Sequence, residues 1–255
     1  MRNVNPNDHD QVPRQVIAVG NDYPSAFELK PHRHRRAQLI YAAKGVISVS
    51  TPEGAWAAPP ERAIWIPAET EHAVTMVGAV RTCSVLLAAE ACVARGDRCR
   101  VLAVSPLLRT LLIDAADLPG EYDVSGRDGL VMALLAKEIE RAPVVPLAVP
   151  FPTSAAMSAR CHAFLAEPDA HATIDRWAAD LGYGRRAFTR AFRRETGMSF
   201  AAWRQQACLL SALPRLAAGE PVTTIALDLG YDSPAAFTTM FKRLTGVAPS
   251  RYGEA

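Results

Sequence analysis

The chain has 255 residues, 49% of them hydrophobic, and its 28 basic and 26 acidic side chains leave a formal charge of +2. That composition provides apolar side chains enough for two globular cores, and it excludes a disordered polyelectrolyte or a protein that binds nucleic acid through bulk charge. Five scattered cysteines without a C-x-x-C pair exclude a disulfide framework and point to reduced thiols; Cys92 and Cys99, as candidate redox sensors, have no resolving partner nearby. No apolar run is long enough to span a bilayer, and the polar first residues with Pro6 do not form a signal peptide, so a cytoplasmic location with no membrane partner is expected.

From about Val16 to Val104 short β-type runs alternate with Gly and Pro: Val46 to Ser50, Ala63 to Ile66, Ala73 to Val77 and Thr82 to Leu87. Such spacing predicts a compact all-β barrel or sandwich over residues 1–104. Within it, His32, His34 and Gln38 are separated by even numbers, so on one extended strand their side chains emerge on one face. Arg33, Arg35 and Arg36 could extend an effector site for an anion, but two of them alternate away from the His face, so the three read as surface residues. Together with Gly45, Pro67 and His72, this pattern resembles the two motifs of the cupin barrel. The resemblance implies a metal set of His32, His34, Gln38 and His72, with Gln38 where cupins usually place a carboxylate. Three imidazoles suit Ni, Zn, Cu or Fe, held less firmly without the acid. The alternatives are a polar pocket for an organic effector with no metal, or residues hydrogen-bonded inside the barrel.

Ser105 to Asp117 and Gly126 to Arg141 carry leucines and isoleucine at helical spacing, which predicts two amphipathic helices. The prolines of Ala142 to Pro152 then favour extended chain, so 105–152 reads as a helical connector and linker.

Residues 153–255 contain an internal repeat. Ala178, Asp180, Leu181, Gly182 and Tyr183 recur 48 residues later as Ala226, Asp228, Leu229, Gly230 and Tyr231, whereas Phe188 and Phe192 recur as Phe237 and Phe241 at an offset of 49. One residue has been inserted at the turn. Each copy predicts a short helix with an apolar face, a stop at Gly182 or Gly230, and a second helix. Ser233 and Pro234 suit the N-cap and first turn of the later one. The phenylalanines, with Trp177, Trp203 and Tyr252, are expected in the core. Facing outward are Arg185, Arg186, Thr189, Arg190, Arg193 and Arg194 in the first copy, but Pro234, Ala235, Thr238, Thr239, Lys242 and Arg243 in the second. The first surface suits phosphate neutralisation and guanine recognition; the second suits thymine methyls and phosphates.

Phe192 to Ser199, Leu229 to Phe237 and Thr245 to Tyr252 resemble the signature of the AraC family of bacterial transcription regulators. The resemblance implies an α+β protein: an N-terminal cupin-like β-barrel sensory domain, a helical connector that forms a homodimer, and a C-terminal all-α domain of seven helices with two helix-turn-helix motifs. It places base contacts at Arg186, Thr189 and Arg190 in the first unit and at Ala235 and Thr239 in the second. Arg185, Arg193, Ser233, Thr238 and Lys242 complete the expected DNA surface. The implied partners are double-stranded promoter or operator DNA, a small-molecule or metal effector, and RNA polymerase. A cupin-type metalloenzyme fused to a DNA-binding domain is the competing reading. The sequence shows no paired general acid and base for it, and no catalytic residue is expected.

Overall fold

The computed structural model describes residues 11–58, 61–91 and 95–252; Cys92 lies outside them. Its contacts separate Met1–Thr51 with Trp56–Pro146 from Pro52–Ala55 with Leu147–Ala255.

The first unit is an antiparallel sheet with two helices on one face. Its strands are β1 (Val16–Tyr23), β2 (Glu28–His32), β3 (Ala37–Thr51), β4 (Gly54–Ala58), β5 (Arg62–Ile66), β6 (His72–Leu87) and β7 (Arg100–Ala103), followed by α1 (Pro106–Ala115), α2 (Arg127–Arg141) and β8 (Val144–Val145). The main path runs β1-β6-β3-β5-β7-β8 and does not return to β1, so the expected barrel is not closed among the described residues. The two long strands take its place. The runs Ala73 to Val77 and Thr82 to Leu87 belong to one strand, β6, which crosses Gly78 at a φ of 74°. β3 shifts register against it twice between Ala42 and Val46, beside Gly45 at a φ of 77°. A Cβ on Gly45 would lie 2.9 Å from the Ala79 carbonyl oxygen, so only glycine fits this bend.

Alternation assigns the faces. Val16, Ala18, Leu39, Tyr41, Trp65, Val85 and Leu87 pack against Leu108, Leu111 and Leu112 of α1 and Met132, Leu135 and Ile139 of α2. Ile17, Val19 and Leu86, one residue out of phase, form a separate cluster on the opposite face. Burial on both faces explains why these strands read as nearly continuous apolar runs. Arg36 departs from its expected surface position. It is buried, and its guanidinium donates at 2.8 Å to the carbonyls of Arg14 and Val12, anchoring the segment that precedes β1.

The second unit holds β9 (Ala148–Pro150), then α3 (Ala155–Ala166), α4 (Ile174–Asp180), α5 (Arg185–Thr196), α6 (Phe200–Ala217), α7 (Val222–Asp228) and α8 (Pro234–Thr245). Its described residues thus form six α-helices and a closing 3-10 turn at Pro249–Arg251, against the seven helices expected. Trp177 is the centre of the first half of the core, with its ring centroid 5.6 Å from Phe164, 4.8 Å from Phe200 and 5.7 Å from Trp203. The first and third of these pairs meet edge-on and the second is tilted; aromatic pairs of this kind each add about 0.5–1.5 kcal/mol beyond their buried area. The Trp203 indole donates to the Pro150 carbonyl at 2.8 Å, which fixes the chain entering this unit.

Candidate nucleic-acid interface and metal centre

The two copies of the repeat build two helix pairs, α4–α5 and α7–α8, by the same local chemistry. Gly182 and Gly230 adopt left-handed φ values of 71° and 74°, and the amides of Tyr183 and Tyr231 return to the carbonyls of Ala178 and Ala226. Phe188, Phe192, Phe237 and Phe241 are fully buried. Ser233 caps α8, its hydroxyl accepting the Ala236 amide at 3.2 Å, whereas Gly184 offers α5 no side-chain cap.

The outward faces differ. On α5, Arg185, Arg186, Thr189, Arg190, Arg193 and Arg194 are all exposed. Arg185 is committed in part, through an ion pair with Asp175 of α4 at 2.8 Å that braces the helix pair. The single acid of this helix, Glu195, offsets only one of these arginines: it is largely buried, pairing with Arg194 at 3.1 Å through one oxygen and accepting the Ser154 amide at the start of α3 at 3.0 Å through the other. Nothing in the residue's type or spacing signalled that role. Thr189 of α5 and Thr239 of α8, the latter at the place of Arg190 in the repeat, each donate the hydroxyl to the carbonyl four residues back, at 2.8 and 2.9 Å, leaving the methyl as the free contact group. On α8, Ala235, Thr239, Lys242 and Arg243 are exposed, but Ser233 and Thr238 are half-buried. Arg243 donates to Gln205 of α6 at 2.7 Å. Thus α5 presents free guanidinium groups, and α8 presents small groups with one free cation, Lys242, among its described residues.

The histidines converge by a different route from the one expected. β2 ends at His32 and β3 begins at Ala37, so His34 lies in the bend between them and the stretch is not one strand. The His34 ring forms that bend by donating Nδ1–H to the Arg36 carbonyl at 2.6 Å. His32 and His72 face each other across the β2–β6 register. The ligand atoms of His32, His34 and His72 all lie within 4.8 Å of one another, and Gln38 reaches His34 Nε2 with its Oε1 at 3.0 Å.

Each imidazole meets a backbone carbonyl through Nδ1: His32 that of Lys30, His34 that of Arg36, and His72 that of Thr70. A carbonyl only accepts, so the proton sits on Nδ1 and the lone pair on Nε2. The His72 Nε2 is buried with no hydrogen-bond partner. Burial, with His32 and His34 nearby and against the Thr70 hydrogen bond, pushes the His72 imidazole down to about 4, so its lone pair is available at neutral pH. At Gln38, whose Nε2 donates to Ser84 at 3.0 Å, Oε1 faces the His34 lone pair. Two acceptors in contact repel, unless a cation lies between them or the amide is reversed. The donor set therefore fits a divalent transition metal: three Nε2 lone pairs and an amide oxygen, three of the four residues buried or nearly so.

The buried thiols do not extend the site. Burial raises Cys83 to about 11 and Cys161 and Cys208 to about 12, which makes them inert packing residues. No helix is long and apolar enough to cross a membrane among the described residues.

Comparison with known proteins agrees with both halves. A helix-turn-helix domain model matches residues 177–255, and an AraC-like ligand binding domain model matches residues 16–117. Over 221 residues the chain is 32% identical to the HTH-type transcriptional regulator NimR of Escherichia coli, covering 87% of this chain and 81% of that protein. It is 30% identical over 136 residues to the HTH-type transcriptional regulator RipA of Corynebacterium glutamicum, covering 52% of this chain and 39% of that one. Among solved structures, ToxT from Vibrio cholerae aligns over 94% of this chain and 98% of its own, with 10% identity and a TM-score of 0.40.

Proposed function

Because the chain belongs to the AraC family of helix-turn-helix transcription regulators, we propose that α5 reads the operator sequence, α8 anchors the protein beside it, and the histidine cluster holds a divalent metal effector. The difference between the outward faces of the two repeats carries the first part. Arg186 and Arg190 are exposed, carry forked donors suited to guanine O6 and N7, and make no ion pair among the described residues. Thr239 and Ala235, their counterparts on α8, offer only methyl groups and short side chains. Two such helices on one DNA face enter successive major-groove segments about one turn apart.

For the effector, His32, His34 and His72 with Gln38 are the residues that would hold Ni, Zn, Cu or Fe, and a bound ion would supply a positive centre joining the end of β2 to β3 and β6. The protein works in the cytoplasm as a homodimer, with RNA polymerase as its further partner, and has no catalytic activity of its own. Replacing Arg190 or Arg186 by Ala lowers affinity for a specific site by about 1–3 kcal/mol while non-specific binding changes far less. Footprinting of the adjacent intergenic DNA, with and without each metal, identifies the site on which to measure this. Equal losses on specific and random DNA would overturn base reading by α5.

A further inference from the structure

A cleft on the opposite face of the sheet from the histidines has the chemistry of a second ligand site. Its volume is about 510 Å³, within the range of small-molecule sites. The sheet side is formed by Val16, Trp65 and Leu87, and the α2 side by Ala133, Ala136 and Ile139. Leu39 pairs with Trp65 and Gln38 with Ile66. Adjacent residues on a strand point to opposite faces, so Trp65 and Gln38 lie on opposite sides of the sheet. The cleft is therefore separate from the histidine cluster.

Two lining side chains lack what their burial requires. Trp65 is 1% exposed, and its indole N–H is buried without an acceptor. Arg95 is 8% exposed; its Nη2 donates to the carbonyls of Ile139, Glu140 and Ala142 at the end of α2, but its buried Nε has no partner. Among the described residues no carboxylate lies within ion-pair distance of Arg95. Glu140, on the same rim, is held by Lys137 at 2.9 Å. The guanidinium thus meets carbonyls at the end of α2 but no paired carboxylate, and a buried donor left without an acceptor destabilises the fold. Alanines at 133 and 136, where α2 faces the tryptophan, leave room for a flat apolar body.

We propose that this cleft binds a small apolar organic acid, its carboxylate taking up the Trp65 and Arg95 donors and its hydrocarbon body lying between Trp65 and the alanines of α2. The site goes beyond the metal-effector reading and does not depend on it.

The test uses the full-length protein with 2-naphthoate as probe and the uncharged 2-naphthalenemethanol as control. Calorimetry is expected to show sub-millimolar naphthoate binding, about tenfold or more weaker in Arg95→Met and absent in Ala136→Trp, which fills the cleft. In amide-correlation spectra, the indole resonance assigned by Trp65→Phe moves on adding naphthoate. That readout stands even if Ala136→Trp fails to fold. Equal binding of acid and alcohol, an unmoved Trp65 indole, or no naphthoate binding would overturn the proposal. Binding that disappears with chelator would do so too, by assigning the acid to the histidine cluster, whereas loss of metal binding or DNA reading alone leaves the cleft untouched.

Discussion

Gln38 is where the histidine cluster departs most from a metal site of ordinary strength. Its amide lies between the His34 Nε2 and the Ser84 hydroxyl, each 3.0 Å away, and in the proposed metal site its oxygen, turned to His34, would be a ligand without charge. Gln38→Glu keeps the length of the side chain and supplies the missing negative charge. Affinity for Ni or Zn, measured by chelator competition, is expected to rise on the order of tenfold, and Gln38→Leu to lower it by a similar factor. If both variants bind metal as the parent does, Gln38 is not a ligand. The residue types of this site were legible in the sequence, but their arrangement was not. Even spacing suggested one strand face, whereas the rings meet because β6 brings His72 opposite His32 and because His34 closes a bend through its own Nδ1. Such convergence depends on long-range register, which spacing along one segment does not contain.

At the scale of elements, the two turns look identical and differ in tolerance. Gly182 and Gly230 share a left-handed backbone, for which a Cβ costs about 1 kcal/mol. A Cβ on Gly182 would meet nothing within 4 Å, but on Gly230 it would lie 2.5 Å from Asp169 Oδ1 and 3.3 Å from the Ala170 amide nitrogen. The Asp169 carboxylate accepts the His171 amide at 2.7 Å, and the Ala170 amide donates to the Leu229 carbonyl at 2.8 Å, so this loop is held against the second turn. Gly230→Ala is therefore expected to lower stability by about 2–3 kcal/mol and Gly182→Ala by about 1, with chemical denaturation as the measure. Equal costs would mean that the loop yields freely. The glycine stops, the Ser233 cap and the paired phenylalanines were readable because each is set by residues within one or two turns of helix. The Asp169 loop and Glu195 were not, since each acts on a segment distant in sequence and the repeat has no second copy of either contact. The closed barrel was over-read for a related reason: strand runs give the number and burial of strands, but closure depends on edges meeting, and here β3 and β6 bend at Gly45 and Gly78 instead.

At the scale of the whole molecule, the remaining question is what covers the outer surface of the connector helices. Their inner faces are buried on the sheet, yet Leu107 is 48% exposed, Leu130 71% and Leu134 44%. Complete burial of a leucine is worth about 1.5–3 kcal/mol, so pairing these part-exposed leucines with their copies in a second molecule offers several kcal/mol toward a cost of association of about 4–15 kcal/mol. A homodimer also suits the proposed division of labour, in which α5 reads and α8 anchors, since such a protomer would gain avidity from a second half-site. Sedimentation at micromolar concentration is expected to show a dimer for the parent and a monomer for Leu130→Lys combined with Leu134→Lys. The double variant should bind a single half-site as the parent does and lose affinity only on DNA with two. A parent that remains monomeric, or a double variant that still dimerises, would remove α2 from the interface and leave its leucines without a role in assembly.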